Sequence, residues 1–194
     1  MLNTKEMLLS AKLDWAKSWL KSQSTENGWK VINPSTEEVL CEVPIASQKD
    51  LDEKVMAAQK AFHSGVWSEA PRKARREALL KIAQVIRDHA SELATLESLC
   101  NGKLFAESLI DDLPESADVF DYYAAWIDKV YGDTVPVDPG FLNYTRREPL
   151  GVCALIVPWN FPLLLASWKI APALAMGNTV IIEPSEYTPL SVLR

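Results

Sequence analysis

The chain has 194 residues, 48% of them hydrophobic and 24% charged, with a net charge of −6. That is the composition of an ordinary soluble globular protein with one sizeable core. The interleaved charges leave no basic surface for nucleic acid, and no run approaches the ~18 apolar residues of a membrane helix. Leu8, Ala11, Trp15 and Trp19 near the start predict an amphipathic helix rather than a signal peptide, because Lys12, Asp14 and Lys17 interrupt any apolar core. Without Arg before Arg72, a mitochondrial presequence is also disfavoured, so the expectation is a cytoplasmic protein. Residues 29–32 and 38–43 read as strands on either side of the turn Asn33-Pro34-Ser35-Thr36.

Helices dominate next. Leu51, Val55, Ala58 and Phe62 mark one apolar face, with Ser47 and Asp50 at capping-box spacing ahead of it. Pro71 suits the first turn of a second helix with core face Leu79, Ile82 and Ile86. The cluster Arg72, Lys73, Arg75, Arg76 reads as its solvated first turns. Ser91 is placed to cap a third helix that carries Leu93, Leu96 and Cys100 and stops at Asn101-Gly102. Leu113, Ala117, Phe120, Ala124, Ile127 and Tyr131 give the stripe of a fourth.

After Gly132 the pattern changes to strand, turn, strand: Thr134-Val135-Pro136-Val137, Asp138-Pro139-Gly140, then residues 141–146, with prolines that suit a sheet edge. Residues 151–157 and 179–182 read as buried parallel strands. The helix between them opens at Phe161-Pro162, stops at Gly177-Asn178, and contains Pro172, expected to kink or divide it. Together they form a βαβ unit. The expected organisation is a helical part over residues 1–131, a β-hairpin over 132–149 and the start of a Rossmann-like unit over 150–194.

Ligands of open α/β sheets bind beyond the carboxyl ends of the strands, and two loops lie there. One is Pro158-Trp159-Asn160-Phe161-Pro162, which holds a carboxamide between large aromatics and prolines; the other is Glu183-Pro184-Ser185-Glu186. A fixed amide N–H₂ is a good donor to a developing oxyanion, although such a loop can equally be a structural corner. Cys41, Cys100 and Cys153 are scattered, form no CxxC pair and no metal-ligand spacing with His63 or His89, and fit a reducing compartment.

Several motifs in order resemble the aldehyde dehydrogenase family. They are Asn33-Pro34-Ser35-Thr36, Glu97-Ser98-Leu99-Cys100-Asn101-Gly102-Lys103, Tyr122-Tyr123-Ala124-Ala125-Trp126, and Arg147-Glu148-Pro149-Leu150-Gly151-Val152. Ile156-Val157-Pro158-Trp159-Asn160-Phe161-Pro162 follows, then residues 171–180 and Pro184-Ser185-Glu186. The resemblance implies an incomplete α/β aldehyde dehydrogenase fold: helical part, oligomerisation hairpin and first βαβ unit of the NAD-binding domain. It implies that Asn160 stabilises the oxyanion of a thiohemiacetal, that Ile156, Val157, Pro158 and Trp159 line the nicotinamide side of the cofactor channel, and that Ser185 and Glu186 stand beside the adenine ribose. A carboxylate there favours NAD over NADP. Where family members usually carry lysine this chain has Glu183, which should further disfavour NADP.

In the family the nucleophilic cysteine, the general-base glutamate and the glycine-rich cofactor turn lie beyond the stretch matched here, and none of the three cysteines present has the nucleophile's surrounding motif. The expectation is therefore the N-terminal part of an NAD-dependent enzyme that oxidises an aldehyde to a carboxylic acid, inactive by itself and associating through the 134–146 hairpin. The alternative is a non-catalytic interaction or oligomerisation module of the same family.

Overall fold

The computed structural model describes residues 28–194; the helix expected around Trp15 and Trp19 lies outside them. Strands β1 (Trp29–Ile32) and β2 (Val39–Val43) pair antiparallel across the expected Asn-Pro-Ser-Thr turn. In that turn the Asn33 side chain accepts from the Ser35 N–H at 2.9 Å. Helix α1 (Gln48–His63) opens on a complete Ser47–Asp50 capping box. It lies against the parallel strands described below, and none of its residues is fully buried.

Helix α2 (Arg72–Asp88) buries Leu79, Ala83 and Ile86. Half of its basic cluster is not simply solvated. Arg75 donates to the carbonyls of Ser68 and Ala70, both at 3.1 Å. Arg76 pairs with Asp128 at 2.6 Å. These guanidiniums terminate carbonyls of the preceding turn and a distant helix end, a long-range use that local charge pattern cannot reveal.

Helix α3 (Ala90–Asn101) starts two residues earlier than Ser91 would allow as a cap, with His89 in the cap position instead. The chain turns directly from α2, so Ser91 falls inside the helix. Gly102, at φ +82°, ends α3 in the left-handed region, where a side chain would also press on Pro34. A short helix α4 (Phe105–Glu107) and a π-helical turn (Ser108–Asp112) lead into α5 (Leu113–Trp126). The stripe Leu113, Ala117, Phe120, Ala124, Ile127 is buried as expected, while Tyr131 lies past the helix end and is exposed.

Strands β3 (Thr134–Val135) and β4 (Asn143–Tyr144) form the hairpin, in which Thr134 faces Tyr144 and Val135 faces Asn143. Every residue from 129 to 148 is exposed.

Strand β5 (Val152–Ile156), helix α6 (Pro162–Ala175) and parallel strand β6 (Thr179–Glu183) make the βαβ unit. Helix α7 (Leu190–Leu193) follows. Pro172 does not divide α6: the helix continues to Ala175, and the Met176 N–H bonds to the Pro172 carbonyl. Ala171 and Ala175, both fully buried, hold that end of α6 against the core. Asn178 ties the unit together, accepting from the Gly151 N–H at 3.0 Å and donating to the Ala173 carbonyl at 3.1 Å.

The largest core cluster joins α2, α3, α5 and α6, from Leu79 through Phe120 to Ala175. A smaller one joins β1, β2 and the end of α3. The parallel strands are less covered than their apolar sequence suggests: in β5 only Leu155 is buried, and no residue of β6 is. Among the described residues these strands pair only with each other, so both outer edges are unpaired.

Candidate functional site

Parallel pairing sets the site. Ile156 stands in register with Glu183, and the Val157 N–H donates to the Glu183 carbonyl at 2.9 Å. The loops after β5 and β6 therefore leave the sheet side by side, at the edge where open α/β sheets bind ligands. All the residues expected at the site are brought to that edge. Ile156, Pro158, Trp159, Asn160, Glu183 and Glu186 are exposed, Ser185 is half-buried and Val157 is buried. Ser185 turns inward to its own loop, where its hydroxyl accepts from the Tyr187 N–H at 3.3 Å and lies 3.4 Å from a Glu186 carboxylate oxygen.

The 158–162 loop is held by its backbone. The Asn101 side-chain amide donates to the Trp159 carbonyl at 2.7 Å and to the Asn160 carbonyl at 3.2 Å. The Thr188 hydroxyl donates to the Trp159 carbonyl at 3.1 Å. Past the loop, Pro162 and Leu163 begin α6, and the Leu163 N–H donates to the Glu97 carboxylate at 3.1 Å. The Lys103 ammonium sits 3.4 Å from the Phe161 ring centre while paired with Asp112 at 2.5 Å. Lys169, from α6, donates to the Ile156 carbonyl. By contrast, nothing among the described residues bonds to the Asn160 carboxamide. The backbone is fixed and the functional group is unspent, an arrangement suited to donating to a ligand.

Glu97 is 1% exposed. Burial pushes its carboxyl up, against the opposing pull of the Ser191 hydroxyl and the Leu163 N–H, which favour the anion. Burial likewise raises the Cys41 thiol to about 11 and moves Cys100 up further. Both are thereby kept from the thiolate form a nucleophile needs. Among the described residues, no group of three or more His, Cys, Asp or Glu side chains is placed to hold a metal ion. No helix there is long and apolar enough to cross a membrane.

The aldehyde dehydrogenase family model matches residues 19–194. The chain belongs to the aldehyde dehydrogenase family. It is 48% identical over 174 residues to human retinal dehydrogenase 2, covering 88% of this chain and 34% of that protein. To human aldehyde dehydrogenase 1A1 it is 41% identical over 193 residues, which are 97% of this chain and 38% of that one. The structure matches an aldehyde dehydrogenase from Bacillus cereus solved as its NAD⁺ complex, with a TM-score of 0.84 and 45% identity over 86% of this chain and 34% of that one. The chain thus spans about a third of the length of the relatives it matches, as an N-terminal portion of the α/β aldehyde dehydrogenase fold.

Four side-chain contacts to backbone at this site are not legible in the sequence: Asn101 and Glu97 stand out only as part of a family motif, and Thr188 and Lys169 do not stand out at all. Their partners are backbone groups 13 to 66 residues away, and no spacing rule links a side chain to such a carbonyl or N–H.

Proposed function

We propose that this chain supplies the oxyanion-binding and cofactor-binding edge of an NAD-dependent enzyme that oxidises an aldehyde to a carboxylic acid. The observation that carries the reading is the exposed Asn160 carboxamide, free of partners among the described residues on a loop fixed at both carbonyls. When an aldehyde carbonyl is attacked by a thiolate, negative charge gathers on its oxygen, and a preorganised N–H₂ lowers the energy of that state. The thiolate and the general-base carboxylate would come from a part of the enzyme that this chain does not contain.

The edge fits NAD in the chemistry of its side chains. Ile156 and Trp159 present exposed apolar surface for a nicotinamide ring, and Glu183 and Glu186 present exposed carboxylates. The Glu186 carboxylate can accept from ribose hydroxyls, and Glu183 adds to the repulsion of a 2′-phosphate, so NADP is disfavoured. Bound there, NAD would provide the hydride acceptor that makes the oxidation possible. The 134–146 hairpin, exposed along its whole length, is the proposed oligomerisation arm. The alternative, a non-catalytic interaction module, is favoured by Glu183 but opposed by Asn160, which a decayed site has no reason to keep.

Aldehyde-dependent reduction of NAD against NADP, followed at the nicotinamide absorbance with the enzyme that carries this segment, tests the reading. NAD-selective turnover is expected; equal or greater use of NADP contradicts it.

A further inference from the structure

Glu97 and Asn101 stand four residues apart on α3, hence on one face and one turn apart. Their hydrogen-bonding polarities are opposite: a carboxylate accepts and an amide N–H₂ donates. The chain they meet changes polarity in the same sense. The carbonyls of Trp159 and Asn160 precede a helix, while the Leu163 N–H lies in its first turn, where no intrahelical acceptor exists. Asn101 donates to the two carbonyls and Glu97 accepts from the N–H. The buried Ser191 hydroxyl donates to the same Glu97 oxygen, fixing the carboxylate from behind.

Packing alone does not set this loop. Behind it lies a cavity of about 420 Å³, bordered by Trp29, Ile32, Cys100, Asn101, Trp159 and Tyr187. Polar tethers therefore add to the packing of Val157 and Pro162, which are buried at the two ends of the loop.

We infer that the α3 turn bearing Glu97 and Asn101 is a positioning device for Asn160, reading the carbonyl side and the N–H side of the loop with two side chains of matched polarity. The inference rests on the catalytic reading of Asn160 given above. Neither residue touches the reacting atoms; they act by holding the loop from which the carboxamide projects, where a shift of about 1 Å is enough to lose rate.

Amide hydrogen–deuterium exchange of the enzyme that carries this segment, read by mass spectrometry over peptides covering 157–165 and, as an internal reference, 113–126, tests the inference. Asn101→Asp puts an acceptor against two carbonyls and is expected to speed exchange in 157–165 at least about tenfold, the scale of one lost hydrogen bond to a charged or neutral partner. Asn101→Ala, which removes the donor without adding charge, should have a smaller effect in the same direction. Glu97→Gln keeps an acceptor and should preserve protection of 157–165, whereas Glu97→Leu should lose it. In every variant the 113–126 reference should stay unchanged. An unaltered 157–165 peptide in both Asn101 variants overturns the inference, and so does a rise that the reference shares, which marks a merely structural role. If Asn101→Asp does not fold, the alanine variant and the Glu97 pair decide the matter by the same criterion. Because exchange needs no turnover, a failed tether is distinguishable from a failed catalytic reading of Asn160.

Discussion

Ile156 and Glu183 are paired across β5 and β6, so the proposed nicotinamide and ribose sides of the cofactor edge start from one rung of the sheet. Glu183 is exposed at that rung and places a carboxylate where the resemblance to the family implies an ammonium. In the enzyme that carries this segment, Glu183→Lys is expected to tighten NAD binding by about 0.5–3 kcal/mol, the span from an ordinary hydrogen bond to one involving a charged group. Calorimetric or fluorescence titration measures it. Unchanged or weaker binding would mean that Glu183 makes its own ribose contact or faces away.

The chain by itself is expected to oxidise no aldehyde. Two of its thiols, Cys41 and Cys100, are pushed up by burial, and neither offers a thiolate at neutral pH. Cys153 lies within β5 in register with Val180 rather than on the loop edge. Steady NADH production by the purified chain with any simple aldehyde would refute this.

Glu97 predicts a pH dependence of stability. Its carboxyl is raised above the ordinary value of 4.5 by burial, so in that window the folded chain binds more protons than the unfolded one. Stability then falls as pH rises through the window. Glu97→Gln keeps the acceptor and removes the titration. Relative to this variant, the parent chain should lose stability as pH climbs from about 4.5 toward its raised value, as read from denaturant melts at several pH values. Parallel pH profiles for the two proteins would show that the carboxylate is compensated and that the shift is not real.

The isolated chain should associate. Ile156 is 64% exposed on a strand whose outer edge is unpaired among the described residues, and the hairpin region exposes Phe141 at 78% and Leu142 at 77%. Unpaired strands flanked by exposed apolar side chains are templates for further pairing. Light scattering on freshly purified chain should show dimers or larger species. A sharp monomer peak together with a cooperative melt would mean that the described core suffices.

The elements were readable in the sequence where the physics is local. The Ser47–Asp50 box, the stripe from Leu113 to Ile127 and the Gly102 stop each depend on residues within a few positions of one another, and each formed as expected. The edge holding Ile156, Asn160, Glu183 and Glu186 was legible because parallel topology dictates where the loops emerge. What stayed hidden is long-range and made through backbone groups: Arg76 on the Ala124 carbonyl, Asn101 on two loop carbonyls and Glu97 on an N–H of α6. Pro172 does not divide its helix, which runs on to Ala175 with Ala171 and Ala175 buried in the core.

The central claim is that Asn160 binds the oxyanion, and Asn160→Ala in the enzyme that carries this segment tests it most directly. Removing one such donor should lower kcat by about 10²–10³-fold. KM for NAD should change little, because the loop backbone stays tethered by Asn101 and Thr188. A kcat within a few-fold of the parent would contradict the account.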